Sequence, residues 1–223
     1  MYEKLFDENR QNNMRNFFLN SVSKMGRCID YTKNEVVKKS DINEIMIVIS
    51  GKIKVCTFTS SGIEKVLFYL REGEINGEVS YFVGNHIEAK VVSMEDSTIS
   101  YVNYDDIDSL LEHNPEYHAF FIHSIVRKYQ IALSQINDFL AEGPKVRLAS
   151  TLYRLCAQIY TEEKGIKVID LTFTHQELAN LMGCSRVTIT RTLQELKDDG
   201  IIDVKNKKIH INDIEKLKAL AGI

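Results

Sequence analysis

Thr174-His175-Gln176-Glu177-Leu178-Ala179-Asn180-Leu181-Met182-Gly183-Cys184-Ser185-Arg186-Val187-Thr188-Ile189-Thr190-Arg191 spells a capped helix, a tight turn and the opening of a second helix. Thr174 suits an N-cap, and Glu177 stands at the capping-box position three residues on. Gly183 supplies the positive φ that a tight turn wants. Ser185 caps a second helix expected over Arg186–Asp199, which Gly200 ends. Leu178, Leu181, Val187, Ile189, Leu193 and Leu196 include the apolar positions expected to hold the two helices crosswise. Such a pair is the bihelical pattern that reads a DNA duplex.

The exposed positions of the second helix carry the chemistry. Arg186 and Arg191 both reach a major groove, where a guanidinium grips guanine O6 and N7 or a phosphate. Ser185, Thr188 and Thr190 offer short hydroxyls suited to phosphates or thymine edges. Beyond Gly200, Ile201–Val204 and Lys208–Ile211 alternate as a two-stranded wing with Asn206-Lys207 in its turn. Lys205, Lys207 and Lys208 are then placed for backbone contact.

Working toward the N-terminus, a helix is expected over Val146–Tyr160, with a strand-like Lys167–Leu171 after it. Gly143-Pro144 breaks the helical pattern and marks a hinge. Before the break, Asn114-Pro115 opens a long helix to Glu142. Along it Ala119, Val126, Leu133 and Leu140 fall seven apart, with Ile122, Tyr129 and Ile136 interleaved. This a/d pattern specifies a two-stranded coiled coil, so Val126, Tyr129, Leu133, Ile136 and Leu140 form the expected homodimer seam. A second apolar strip, Phe121, Ile125, Ala132 and Phe139, needs a partner of its own.

The front half reads differently. After a short helix near Met14–Val22 come Glu44–Ile49, Lys52–Phe58, Glu64–Leu70, Val91–Ser93 and Ser97–Tyr104, punctuated by glycine-bearing turns. Short strands at this spacing indicate an all-β roll or barrel. The expected organisation is α+β: a sensing β-roll over residues 1–114, a dimerisation helix over 115–142 and a winged helix-turn-helix over 143–223.

Bulk composition agrees with a globular protein, 44% apolar and 26% charged over 223 residues. No apolar run is long enough to span a bilayer and the start is no secretion signal, so the expected place is the cytoplasm, with no membrane partner. From Lys145 onward 13 Lys and Arg face 10 Asp and Glu, whereas the preceding residues hold 15 against 21. The mildly basic tail is the part expected to meet a polyanion. Cys28, Cys56, Cys156 and Cys184 lie far apart and read as buried or half-buried thiols, with no metal site.

Thr174–Ala179, Met182–Arg186, Thr188–Arg191, Ile49–Val55 and Leu70–Glu78 together resemble the cyclic-AMP receptor protein and fumarate-nitrate regulator (CRP/FNR) family of bacterial transcription factors. The resemblance runs over roughly residues 20 to 215. It implies a homodimer whose recognition helices enter successive major grooves of a near-palindromic operator, driven by a signal felt in a cyclic-nucleotide-binding-like β-roll. It also implies an RNA polymerase contact if the protein is an activator. Arg186 and Arg191 match family positions that read bases or phosphates, and Thr174 and Gln176 match phosphate contacts. Where many members place a glutamate after the first arginine, this chain has Val187. A valine touches a thymine methyl and cannot accept from cytosine, so the implied operator is richer in A·T.

The effector differs from the family's best-known one. Gly77-Glu78 opens the stretch matching the phosphate-binding cassette, but Glu88-Ala89 stands where an arginine-serine pair grips the cyclic phosphate. A carboxylate there repels a phosphate, which makes cyclic AMP an unlikely effector. Lys90 falls on the same side of a strand as Glu88 and pairs with it in this reading. An iron–sulfur cluster needs clustered N-terminal cysteines, and only Cys28 lies there. Haem is the alternative, with His86 and then His123 as ligands. What remains is an apolar or aromatic small molecule between roll and long helix, lined by Gly77, Glu78, Tyr81, Phe82, Glu88 and Tyr129 with Phe68 and Val91. Members that sense halogenated phenols carry a similar valine-threonine recognition helix.

Two other classes compete. An effector-binding module without DNA function conflicts with Arg186 and Arg191 on a well-capped helix. An enzyme would need a nucleophile motif, metal-ligand spacing or phosphate-cradling loop; Asp105, Asp106 and Asp108 read as a helix N-terminus instead.

Overall fold

The computed structural model describes residues 7–37, 43–58, 60, 64–84, 89–140 and 143–222, with the side chains of 139 and 140 excepted. The chain divides into two compact units, one of Asp7–Thr59 with Val66–Gln130 and one built on Ile131–Ile223.

The first unit is a roll of two four-stranded sheets. One sheet runs in the order β1 (Arg27–Tyr31), β8 (Ser97–Asn103), β3 (Glu44–Ser50), β6 (Ile75–Asn76); the other runs β2 (Val36–Val37), β7 (Lys90–Ser93), β4 (Lys52–Phe58), β5 (Glu64–Arg71). Pairings with a register are antiparallel, as between Ile45 and Val102 or Val55 and Val91. Strand β3 explains why the alternation of Glu44–Ile49 is so faint. Ile45 and Ile47 enter a core with Met14, Phe18 and Phe121, while Met46 and Val48 enter another with Ile53, Val91 and Tyr101. Successive side chains leave opposite faces of a strand, so burial on both faces makes a continuous apolar run. The first of those cores is closed by α1 (Glu8–Asn20), α3 (Tyr104–His113) and α4 (His118–Leu140).

The second unit contains the end of α4, then α5 (Gly143–Gln158) and a four-stranded sheet. That sheet runs β11 (Ile202–Lys205), β12 (Lys208–Ile211), β10 (Ile166–Ile169), β9 (Tyr160–Glu163). Helices α6 (His175–Met182), α7 (Arg186–Asp198) and α8 (Ile214–Leu220) complete it, all three packed on α5 directly or through one another. Asp138, near the end of α4, accepts from Ser150 (2.5 Å) and pairs with Arg154 of α5, both partners being buried. No helix among the described residues is long and apolar enough to cross a membrane.

The expected strands and helices appear within a few residues, and Lys52–Phe58 matches at both ends. Missing from the expectation were β1, β2, β6, the short helix over residues 78–83, β9 and α8. The two-residue strands β2 and β6 are too short to show a period, and Tyr160–Glu163 continues a helical pattern in the sequence although it pairs with Ile166–Ile169. Cys56 and Cys156 are buried and Cys184 is half-buried, but Cys28 is exposed, a correction to the expected burial. Its strand β1 lies at a sheet edge, and residue 28 alternates outward there.

A charged node fastens the first unit. Glu74 is 2% exposed; its Oε1 accepts from Gln11 (2.8 Å) and from Arg15 (2.6 and 3.1 Å) and lies 3.2 Å from the Arg127 guanidinium in an ion pair, and its Oε2 accepts from the Arg71 amide. Burial works to raise its pKa, but the Arg127 and Arg15 guanidiniums outweigh burial and hold the carboxyl below its ordinary value. A depressed folded pKa contributes stability above the unfolded carboxylate value, about 4.3, and that stability is lost as pH falls through the lower folded value. Urea unfolding across this range will show Glu74→Gln destabilised at neutral pH by about 3 kcal/mol, because two buried guanidiniums lose their anion. Its acid limb will be shallower than that of the unsubstituted protein.

Candidate nucleic-acid interface and ligand cavity

The second helix of the C-terminal pair is built to stand proud. Thr174 caps α6 with a reciprocal capping box: its Oγ1 accepts from the Glu177 amide (3.1 Å), and Glu177 accepts from the Thr174 amide (2.7 Å). Gly183 ends α6 at φ 65°, and the Ser185 hydroxyl then accepts from the Thr188 amide to start α7. Leu178, Leu181, Ile189, Leu193 and Leu196 are buried as expected. Val187 is not: it is 79% exposed, which corrects its assignment to the helix-packing set. Thr192 takes the buried place instead, one turn on from Ile189 at the spacing of a helix face.

Arg186 and Arg191 both lie exposed on α7, the Arg191 guanidinium 3.6 Å from Glu195. The short hydroxyls are less free. Ser185 and Thr188 bond each other at 2.8 Å, while Thr190 Oγ1 donates to the Arg186 carbonyl and meets His175 Nδ1 at 2.8 Å. Gln176 donates to Asn180. A groove of about 570 Å³ runs beside them, with Arg186, Thr174, Gln176 and Lys207 on its polar side and Phe173 and Val204 among its apolar walls. The wing turn at Asn206-Lys207 has φ of 50° and 63°, the twist of a tight hairpin. Lys205 and Lys208 are paired to Asp203 and Asp170, leaving Lys207 at the tip as the exposed wing lysine bordering the groove.

In the β-roll unit a cavity of about 440 Å³ has Val37, Met46, Val55, Leu67, Phe68 and Val91 among its apolar walls, and Asn76, Glu78, Ser80, Lys90 and Lys128 among its polar ones. Gly77 and Glu78 line it as expected, with Phe68 and Val91. Tyr81, Phe82 and Tyr129 do not. Residues 78–83 form a helix, α2, which turns Tyr81 against Tyr104 and onto Asp108 and leaves Phe82 43% exposed beside Phe121. Tyr129 is 61% exposed on the outer side of α4. Glu88 and His86 lie outside the described residues, so the Glu88–Lys90 pair does too; Lys90 Nζ sits 5.2 Å over the Phe58 ring. His123 bonds Gln11 at 2.9 Å, and burial, then Arg127, lowers its pKa.

Glu78 is fully buried. Its Oε1 accepts from Ser124 (2.8 Å) and Lys128 (2.5 Å) of α4, and Lys128 also donates to the Ile75 carbonyl. Neither Ser124 nor Lys128 was anticipated. The signal existed: residue 128 fills the gap between Ile125 and Ala132 in the second apolar strip, so a lysine there must enter the core or break the strip. On the opposite side of α4, Ala119, Ile122, Val126, Tyr129, Leu133 and Ile136 are all exposed; Leu140 belongs to the helix, but its side chain lies outside the described set.

Comparison with known proteins follows this division of labour. Residues 29–114 match the cyclic nucleotide-binding domain and residues 146–220 the Crp-like helix-turn-helix domain. The chain belongs to the CRP/FNR family of DNA-binding transcription regulators. The cAMP-activated global transcriptional regulator CRP of Haemophilus influenzae is 28% identical over 76% of this chain and 75% of its own length. A CRP-like cAMP-activated regulator of Mycobacterium tuberculosis is 24% identical over 88% and 89%. Among solved structures, a CooA variant from Carboxydothermus hydrogenoformans has a TM-score of 0.74 at 23% identity, covering 92% of this chain and 94% of that one. CprK complexed with OCPA reaches 0.68 at 20% identity, covering 91% and 92%. At such identities the likeness to the two structures is one of fold.

His175 is the head residue that sequence reasoning passed over. It joins α6 to the exposed face of α7 through Thr190, and in the sequence it carries no periodic signal. For this CRP/FNR chain, Thr174→Ala removes the capping box that orients both helices. Thermal unfolding should register a loss of about 1 kcal/mol.

Proposed function

We propose that the protein acts as a homodimer that reads a near-palindromic DNA operator through α7 and is controlled by a small molecule, other than cyclic AMP, bound in the β-roll cavity. The observation that carries the DNA reading is the joint exposure of Arg186, Val187 and Arg191 on one well-capped helix, with Lys207 across the groove. Arg186 and Arg191 supply guanine or phosphate contacts, and Val187 favours a thymine methyl at the neighbouring position. Thr174, Gln176, Ser185, Thr188 and Thr190 stand at the phosphate-facing side, the hydroxyls acting mainly to hold the arginines' backbone. The apolar stripe of α4 supports pairing of two subunits, since water-facing Ile122, Tyr129 and Ile136 on one helix are costly alone.

Two relatives are named as cAMP-activated, and this reading departs from them at the effector. Ala89, at the place of a phosphate-gripping serine, lines the cavity without a side-chain donor, and the Lys128 charge is already spent on Glu78. Functionally, residues 1–114 sense, 115–142 pair the subunits and 143–223 bind DNA. The protein works in the cytoplasm as a regulator without enzymatic activity, contacting RNA polymerase where it activates.

Arg191→Ala is expected to lower specific operator affinity about 30-fold or more across two half-sites, with the dimer intact by sedimentation. Unchanged affinity in a gel shift at fixed salt would remove α7 as the reading element. Tyr129→Glu combined with Leu133→Glu should yield monomers at micromolar concentration and weaken operator binding; a dimer surviving both changes would place the subunit contact elsewhere.

A further inference from the structure

His175 sits in the groove of the DNA head with one of its ring nitrogens already committed. The Thr190 hydroxyl has a single proton, and it goes to the Arg186 carbonyl one turn back, 3.0 Å away. His175 Nδ1 lies 2.8 Å from the same oxygen and is therefore the donor, carrying a hydrogen in both charge states of the ring. Nε2 is left over. It has no hydrogen-bond partner among the described residues, yet it is not one of their buried unsatisfied atoms, so it reaches water. In the neutral ring that nitrogen is an acceptor; after protonation it is a donor on a cation.

The ring lines the groove together with Arg186 of α7 and Lys207 of the wing turn, and no carboxylate lines it among the described residues. Other charges of these elements are already engaged. Glu177, on the same helix, is held by the Thr174 amide and hydroxyl; Arg191 lies 3.6 Å from Glu195, and Lys205 and Lys208 pair with Asp203 and Asp170. The counter-anion for a charged imidazole at this place has to come from a ligand. A DNA phosphate only accepts hydrogen bonds. It meets the bare Nε2 of the neutral ring as acceptor against acceptor, and the imidazolium through a charge-assisted hydrogen bond.

We propose that His175 is a proton-gated phosphate contact: each head takes up one proton from water as it closes on the DNA backbone, so DNA affinity rises as pH falls through the imidazole range. This rests on the reading of α7 and its groove as the DNA-binding face. Arg186, Arg191 and Lys207 keep their charge across that range, which leaves the proton dependence to the imidazole. The contact is made to the backbone and reads no base, so acidification strengthens binding to all sequences alike.

The test uses the full-length protein and a fluorescein-labelled duplex of about 30 base pairs of mixed sequence, since phosphate contacts need no operator. Anisotropy titrations at constant ionic strength should show binding at least about tenfold tighter at about pH 6 than at about pH 8, the worth of one charge-assisted hydrogen bond gained. The slope of log affinity against log salt should steepen over the same interval by about 0.9 for each head engaged. His175→Gln, whose amide can still donate to Thr190, should keep less than about threefold of the pH effect, which separates this ring from His210 on β12. His175→Arg should bind at the higher pH as tightly as the unsubstituted protein does at the lower one, with no pH dependence. A purely structural role for the His175–Thr190 bond would shift the affinity of His175→Gln equally at both pH values and leave the salt slopes alone. The unsubstituted protein's own salt slope tests the contact even where a variant does not fold. A flat pH profile or an unchanged salt slope in the unsubstituted protein, pH dependence retained by His175→Gln, or His175→Arg binding no tighter than His175→Gln at the higher pH overturns the inference while leaving the DNA-binding face in place. Failure of the unsubstituted protein to bind the duplex at either pH in low salt overturns that face as well.

Discussion

Two buried carboxylates of the β-roll take their counter-charges from adjacent residues of one helix. Arg127 reaches Glu74 at 3.2 Å and Lys128 reaches Glu78 at 2.5 Å. Neighbouring residues on an α-helix point about 100° apart, so two such pairs fix the rotation of α4 about its axis as well as its position. With that rotation set, Phe121 falls into the roll's core and Ile122, Val126 and Tyr129 are left facing water. The ion pairs thereby determine which apolar stripe of the helix is turned to water, the stripe proposed above to pair two subunits. Apolar packing alone would fix it less sharply, because hydrophobic contact is non-directional whereas a buried charge tolerates no misplacement.

The DNA head relies on hydrogen bonds of a different kind. Its two helices are started by side-chain caps, Thr174 and Ser185, and crossed over a small apolar core. The hydroxyls that a sequence reading assigns to nucleic acid are largely engaged inside the head. Thr190 bonds Arg186's own carbonyl and His175; Ser185 and Thr188 bond each other. This internal engagement stiffens the surface on which the two arginines stand. A preorganised donor loses less freedom on binding than a loose one, so the same contacts yield more affinity.

Much of this architecture was legible from residue patterns, for reasons that differ by element. The helix-turn-helix was legible because caps, a positive-φ glycine and leucine spacing all point the same way. The water-facing apolar stripe of α4 was legible because the heptad spacing runs unbroken through Ile136. Val187 was misassigned to the packing set because an apolar residue in a helix defaults to the core, and here it lies on the outward face beside Arg186. The cavity was only half legible: Gly77, Glu78, Phe68 and Val91 border it, while Tyr81 and Phe82 turn away once residues 78–83 coil into a helix. Lys128 was overlooked because an isolated lysine reads as solvated, and nothing local to it reveals a carboxylate fifty residues earlier.

The clasp formed by positions 74, 78, 127 and 128 also constrains how such a chain can drift through generations. Replacing either cation alone strands an anion in a water-poor interior, and replacing either anion alone strands a cation; each intermediate is a poor ancestor. Change at these sites therefore has to arrive as matched pairs, and the two pairs are themselves joined by one peptide bond. Sequence variation is left to accumulate instead on the cavity's aliphatic wall, where methyl groups can be exchanged one at a time and a lineage can acquire a new chemical sense without rebuilding its frame.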